Sequence, residues 1–322
     1  MQAIQISEHG GPDVLRLVEL PDAEPGNGEV LVDVAAAGVN FIDVYHRTGL
    51  YEVDLPRVLG VEGAGTVRAT GQGVSGISTG DVVAWAQVAG SYASRVVVPA
   101  SAAVVVPHEV PAETAAAMML QGLTAHYLVN DTHRLAAGET CLVHAAAGGV
   151  GLLLVQMAKA KGAVVFGTAG NEEKARLARS AGADHVIRYD ETPFREAIEA
   201  IAGPRPLAVV YDGIGQPTFH DGLALLRRRG TMVTFGNAGG PVEPISPLVL
   251  SRNGSVFLTR PTLGDYIATR QELESRAEAV LGMCATGALE VTISARYPLS
   301  EAGRAQEDLA ARRTTGKVLL IP

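Results

Sequence analysis

Two rhythms of apolar and polar positions divide this chain. From residue 140 to 259, short apolar and β-branched runs recur every twenty-odd residues: "CLVH", "AVVFGT", "DHVI", "LAVVYD", "TMVTF" and "SVFLT". Each run is nearly continuous rather than alternating, as in strands buried on both faces of a parallel sheet. Helical patterns with readable ends lie between them. "VGLLLVQMAKAKG" stops at Gly162, and "NEEKARLARSAG" starts at a capping Asn171, carries acids in its first turn and stops at Gly182. "FREAIEAIAG" and "TFHDGLALLRRRG" follow, each ending in glycine. The basic run Arg227–Arg229 is expected to close the last of these helices, its cations complementing the helix C-terminus. Six strands alternating with helices predict an α/β, doubly wound parallel six-stranded sheet.

Residues before about 120 follow the other rhythm. Strand-like segments ("EVLVDVAAAGV", "EGAGTVRAT", "DVVAWAQ", "SRVVVP") are separated by glycine, proline and aspartate turns such as "PGNGE" and "TGD". That predicts a β-rich domain. The piece after 262 holds two helical runs and a final strand, "KVLLIP", and is too short for a core of its own. It is expected to fold back onto the N-terminal part. A length of 322 residues fits two domains. The expected division is 1–123 with 262–322, into which 124–261 is inserted, and ligands are expected in the cleft between them.

At the end of the first predicted strand lies "HAAAGGVG", residues 144–151. Glycines here could serve only a tight turn and close packing. They could also expose backbone N–H groups at a helix N-terminus, a seat for phosphate. Ala146-x-Gly148-x-x-Gly151 is the dinucleotide fingerprint with alanine in place of its first glycine. Its place between the first strand and helix of a six-strand alternation favours a Rossmann dinucleotide site. The second strand ends "VVFGTAGN" without a carboxylate to accept from a ribose 2′-OH. Lys174, one turn beyond Asn171, is within reach of a 2′-phosphate, although a lysine there can also be merely solvated. The cofactor expected is NADPH rather than NADH.

Composition narrows the classes. Hydrophobic residues at 47% and charged residues at 19% describe a folded, well-buried chain. A net charge of −8 argues against a nonspecific nucleic-acid binder. Cys141 and Cys284 are too few for a disulfide framework and suit a reducing compartment. The N-terminal "MQAIQISEHGG" alternates like a strand and lacks the order of a signal peptide, and no apolar run is long enough for a bilayer. A soluble, cytoplasmic protein is expected.

Taken together, "GVNFIDVYHRTGLY" (38–51), "LGVEGAGTV" (59–67), "GDVVAWAQ" (80–87), "LQGLTAHYL" (120–128), "HAAAGGVG", "TFGNAGG" (234–240), "TRPTLGDY" (259–266) and "RRTTGKVLLIP" (312–322) carry a resemblance. The chain resembles the zeta-crystallin-type NADPH:quinone oxidoreductases of the medium-chain dehydrogenase/reductase superfamily over nearly its whole length. The resemblance implies a Rossmann domain inserted into a GroES-like catalytic domain, a homodimer or larger assembly, NADPH without zinc or flavin, and a quinone or related conjugated carbonyl as substrate. It also implies site residues. Gly148, Gly149 and Val150 would face the pyrophosphate, and Lys174 and Tyr189 would flank the 2′-phosphate. Thr124, Phe235 and Gly236 would lie near the nicotinamide. Asn40 would bond its ribose or carboxamide, and Arg312 would approach from the C-terminal segment. Tyr45 and Tyr51 would line the substrate side, with Tyr51 the candidate proton donor.

Zinc-dependent alcohol dehydrogenases of that superfamily place a cysteine and a histidine where this chain has Asn40 and Val61, neither of them able to replace thiolate or imidazole. No metal is expected. Alternatives stay open for these residues: Asn40 as a turn residue, the tyrosines as packing. They stay open for the activity too. Transfer to a quinone needs close stacking and exclusion of water more than a strong acid. Reduction of an activated C=C bond in an enone, enal or enoyl thioester would use Tyr51 as acid. A non-catalytic NADPH-binding protein, including an RNA-binding one, is the third reading, and the chain shows neither the basic stripe nor the aromatic platform of an RNA binder.

Overall fold

The computed structural model describes residues 1–322 and separates into two compact units, Met1–Leu123 with Tyr266–Pro322, and Thr124–Asp265. In the first, strands β1 (Gln2–Ile6), β2 (Arg16–Glu19) and β4 (Arg57–Val58) form a small antiparallel sheet. The long β3 (Glu29–Val39) is the hub of a larger sheet, and two register shifts let it bend so that β5 (Glu62–Thr70) and β7 (Arg95–Pro99) can both pair with it. β6 (Val82–Ala86) and β8 (Val104–Val105) continue that sheet beyond β5. Ile6, Val32, Leu59, Trp85 and Tyr92 fill its core. Helix α1 (Phe41–Thr48) follows β3 and stops at Gly49, whose φ of 79° is the left-handed cap that glycine adopts without strain. Helix α2 (Ala112–Tyr127) leads towards the second unit.

That unit is the predicted α/β alternation. β9 (Thr140–Val143), β10 (Val164–Ala169), β11 (His185–Arg188), β12 (Leu207–Asp212), β13 (Leu226–Thr234) and β14 (Phe257–Thr259) form one six-stranded parallel sheet in the order β11-β10-β9-β12-β13-β14. All six side chains of β12 are buried, as a strand covered on both faces requires. The connecting helices are α3 (Gly149–Ala160), α4 (Glu172–Ser180), α5 (Phe194–Ala202) and α6 (Gln216–Leu225), with the short α7 (Leu248–Arg252) and α8 (Leu263–Tyr266) after β13 and β14. Asn171 caps α4 by accepting from the Lys174 N–H at 2.9 Å.

One expectation fails. Arg227–Arg229 do not end a helix: α6 stops at Leu225, and the arginines lie on β13. Leu225 and Leu226 are both fully buried, which turns the chain into strand there, and Leu226 pairs with Leu207. Arg227 bonds Glu139 Oε1 at 2.5 Å instead of facing a helix end.

The chain then returns to the first unit. Helix α9 (Arg270–Ala285) begins in a capping box, Thr269 and Glu272 each accepting from the other's backbone N–H. β15 (Ile293–Pro298), α10 (Ala302–Ala310) and β16 (Lys317–Ile321) complete the larger sheet, β16 lying antiparallel to β3 and parallel to β15. No helix is long and apolar enough to cross a membrane.

A buried acid ties α1 to this unit. Asp43 Oδ2 accepts from the Asn40 N–H at 2.8 Å and from the Tyr92 hydroxyl at 2.9 Å, while Oδ1 has no partner. Desolvation raises the Asp43 pKa from 3.8 to about 7, against the opposing pull of those two hydrogen bonds and of Lys317; Glu62 adds to the rise. A folded-state value above the unfolded one means that the neutral acid is favoured on folding. Its contribution is full below the unfolded value and is lost as pH rises through about 7. The melting temperature is therefore expected to fall between about pH 5 and pH 8, and Asp43→Asn, which cannot ionise, to flatten that slope; calorimetric scans across the range check it.

Candidate functional site

The strand order reverses between β9 and β12, and the crevice over the carboxyl ends of such strands is where doubly wound sheets hold ligands. The turn leaving β9 is pinned from both sides. The His144 N–H donates to Tyr211 O at 3.1 Å and the Ala146 N–H to Thr168 O at 3.0 Å. Thr168 Oγ1 accepts from the Ala145 N–H at 3.2 Å and lies 3.1 Å from His144 Nδ1. Burial lowers the His144 pKa, disfavouring the charged ring. Ala145 has a φ of 50°, strained for a residue with a Cβ, and its carbonyl accepts from the Gly148 N–H at 2.8 Å.

Gly148 is the N-cap of α3, so the N–H groups of Gly149 and Val150 belong to the helix's first turn and lack intrahelical acceptors. The third fingerprint glycine is required by packing: a Cβ on Gly151 would stand 2.9 Å from Ala146 Cα and inside contact with the Ala145 carbonyl oxygen. Alanine at the first position is tolerated because Gly167 faces it from β10, where any Cβ would be 2.8 Å from that of Ala146.

Neighbouring strand ends complete this edge. β10 ends at Ala169, followed by Gly170 and Asn171, with no carboxylate. Tyr189, just past β11, packs its ring against Gly170, where a Cβ would be 2.9 Å from Tyr189 Cζ, and about half of it is exposed. At the end of β12, the fully buried Asp212 shapes the next loop. Its Oδ1 accepts from the N–H groups of Ile214 (2.7 Å) and Gly215 (3.1 Å), and its Oδ2 from Thr218 Oγ1 (2.8 Å). Phe235 and Gly236, at the end of β13, lie against Gly213 of that loop. Arg260 Nη1 holds them in place by donating to the carbonyls of Thr234 (3.2 Å) and Gly236 (2.9 Å). Thr124 is buried where the unit begins.

In the first unit the polar residues form one buried knot. Lys317 Nζ donates to Asn40 Oδ1 at 2.9 Å and to Glu62 Oε2 at still closer range. Asn40 Nδ2 donates to Glu62 Oε2 (2.8 Å) and to Gly38 O (3.2 Å), and Gln121 Nε2 donates to Asn40 Oδ1 (3.3 Å). Glu62 Oε1 accepts from the Leu120 N–H at 2.6 Å. Both donors and both lone pairs of the Asn40 amide are thereby engaged within the knot. Beyond Asn40, α1 carries an aromatic cluster. Phe41 and Tyr45 have ring centroids 6.1 Å apart, and Tyr45 and Tyr51 meet edge to face at 5.1 Å. Tyr45 is buried and Tyr51 is partly exposed. Arg312 sits on an exposed turn after α10 with a φ of 59°.

The structure thus gathers Gly148, Gly149 and Val150 at one helix start, sets Tyr189 against Gly170, Phe235 and Gly236 against Gly213, and Tyr45 against Tyr51. Sequence reading passed over Thr168, Asp212, Arg260, Glu62, Gln121 and Lys317. Two of these had a visible signal. Lys317 is a lone cation opening an apolar strand, "KVLLI", and Asp212 a lone acid closing one, "LAVVYD".

Comparison with known proteins places these features. Residues 26–110 match the family model described as alcohol dehydrogenase GroES-like domain, and residues 149–276 the one described as zinc-binding dehydrogenase. A quinone oxidoreductase of Salmonella typhimurium is 45% identical, the match covering 99% of each chain. A 2-haloacrylate reductase of a Burkholderia species is 36% identical over 100% of this chain and 99% of its own. The crystal structure of Escherichia coli quinone oxidoreductase complexed with NADPH superposes with a TM-score of 0.98 at 43% identity, covering 100% of both chains. The zinc named by one family description does not fit the residues present. Asn40 offers an amide already fully bonded, Val61 offers no donor, and the Glu62 carboxylate is taken by an ammonium group. No group of three or more His, Cys, Asp or Glu side chains is arranged to hold a metal ion. With such identity along its whole length, the chain belongs to the quinone oxidoreductase family of the medium-chain dehydrogenase/reductase superfamily.

Proposed function

We propose that this chain is a zinc-independent, NADPH-dependent quinone oxidoreductase. The observation that carries the reading is the start of α3 at the strand-order reversal. There the Gly149 and Val150 N–H groups stand at the positive end of a helix dipole, while the neighbouring strand end, Ala169–Gly170–Asn171, carries no carboxylate. Bound NADPH supplies the hydride that, with one proton per hydride, turns a quinone into its hydroquinone. Gly148, Gly149 and Val150 receive the pyrophosphate. Lys174 and Tyr189 take the 2′-phosphate, Tyr189 held in place by its packing on Gly170. Thr124, Phe235 and Gly236 bound the nicotinamide end, and Arg312 approaches the coenzyme from the C-terminal segment. Tyr45 supports Tyr51 edge to face on the substrate side.

A second reading has its own support. Reduction of an activated C=C bond needs a proton donor at carbon, and Tyr51 is a phenol held on an aromatic partner; the relative named 2-haloacrylate reductase points the same way. Two unpaired cysteines fit a cytoplasmic location. A homodimer would form through β14, the sheet's open edge, on which Phe257 is 61% exposed.

The deciding experiment is a panel of quinones, enones and alcohols with NADPH and NADH in parallel. NADPH consumption with 1,4-benzoquinone or 9,10-phenanthrenequinone is expected, with alcohols inert. Tight NADPH binding without any turnover would favour a non-catalytic role instead. Lys174→Ala is expected to lower the NADPH-to-NADH ratio of kcat/KM by about tenfold, the size of one lost charge-assisted contact. Tyr51→Phe separates the two chemistries: enone turnover should fall by about two orders of magnitude or more, quinone turnover only a few-fold.

A further inference from the structure

The knot around Asn40 joins residues from three distant parts of the chain, and strand register makes it possible. β16 runs antiparallel to β3 with Leu319 opposite Gly38 and Val318 opposite Val39. The next step of the same register sets Lys317 beside Asn40. Room for its side chain comes from Gly38, where a Cβ would stand 2.7 Å from Lys317 Cε and inside contact with the Glu62 carboxylate. Lys317 is 1% exposed and Glu62 is fully buried. Taking both charges out of water is costly, and a well-packed apolar pair would often be as stable. The cost is met here by exact hydrogen-bond complementarity: every polar atom of Glu62 and of the Asn40 side chain has a partner.

We propose that Lys317 is a positioning residue for the reaction. Its ammonium group, bonded to Glu62 and to Asn40 Oδ1, fixes the orientation of the Asn40 amide and the start of α1, and through α1 the placement of Tyr45 and Tyr51. The inference rests on the substrate-side role given to those tyrosines above. A stabilising ion pair alone would need only Lys317 and Glu62. The additional bond from Lys317 to Asn40, together with the second from Gln121, locks an amide at the residue from which α1 starts. Displacements of about an ångström at such supports are enough to cost one or two orders of magnitude in rate.

The test compares the wild type with Lys317→Met and with the double variant Lys317→Met/Glu62→Gln. The single variant strands a buried carboxylate and should lose thermal stability. The double variant has no stranded charge and should recover most of the melting temperature, yet Asn40 Oδ1 still lacks its ammonium donor. Its kcat with 1,4-benzoquinone is expected to stay about tenfold to a hundredfold down, while the NADPH dissociation constant, read by fluorescence titration, stays within about twofold. Recovery of kcat together with the melting temperature would overturn the proposal and leave Lys317 as one half of a structural pair. A double variant that does not regain its stability would also count against it. A readout without substrate separates this inference from the functional reading. Peptide-mapped nitration of Tyr51 by tetranitromethane should be severalfold faster in the double variant than in the wild type, and an unchanged rate overturns the positioning role. Absence of quinone turnover in the wild type overturns the functional reading alone.

Discussion

The second unit depends on how closely a helix can approach two strand ends. α3 starts against the backbone of the turn that leaves β9 and beside β10, and the distance is set by what is missing at Gly151 and Gly167. With either Cβ present, α3 or β10 would have to retreat, and the first-turn N–H groups would move off the crevice where the strand order reverses. The same economy explains the alanine in the fingerprint. Ala146 occupies space that the neighbouring strand has given up, so the loss of one glycine is compensated by another, Gly167, on β10 rather than by a looser turn.

The first unit solves the opposite problem. Its centre contains charge, and the sheet is arranged to surround that charge with donors and acceptors. Glu62 reaches in from β5, Lys317 from β16 and Asn40 from the end of β3, with a backbone N–H and a glutamine from α2 closing the remaining sites. Asp43 extends the polar core by one more buried carboxyl, shared with Tyr92. A buried polar network is an asset only when all its members are satisfied. At Asn40 and Glu62 that condition holds, and at Asp43 it holds for one oxygen only.

How much of this could be read from the residues alone follows from the range of each interaction. The parallel sheet was legible because most of its strands are apolar runs and α3, α4 and α5 end beside glycines, both local properties. The glycine turn that opens α3 was legible for the same reason, since Gly148, Gly149 and Val150 are consecutive. Arg227–Arg229 misled because a basic run next to a glycine suits a helix end, whereas burial of Leu225 and Leu226, which local pattern does not report, made it a strand. The Asn40 knot was out of reach altogether. Asn40 and Glu62 lie 22 positions apart, and Glu62 and Lys317 lie 255 apart. Only the pairing of a C-terminal strand with β3 brings them together.

That dispersion has an evolutionary consequence. Gly38, Asn40, Glu62 and Lys317 constrain one another so tightly that changing any one alone leaves a clash, an unpaired buried charge or an unsatisfied buried polar group. Mutational routes out of this arrangement therefore pass through unstable intermediates, and the quartet should be inherited as a block. Sequences descended from such a chain are expected to keep all four residues or to have exchanged them together, with few hybrids surviving between the two.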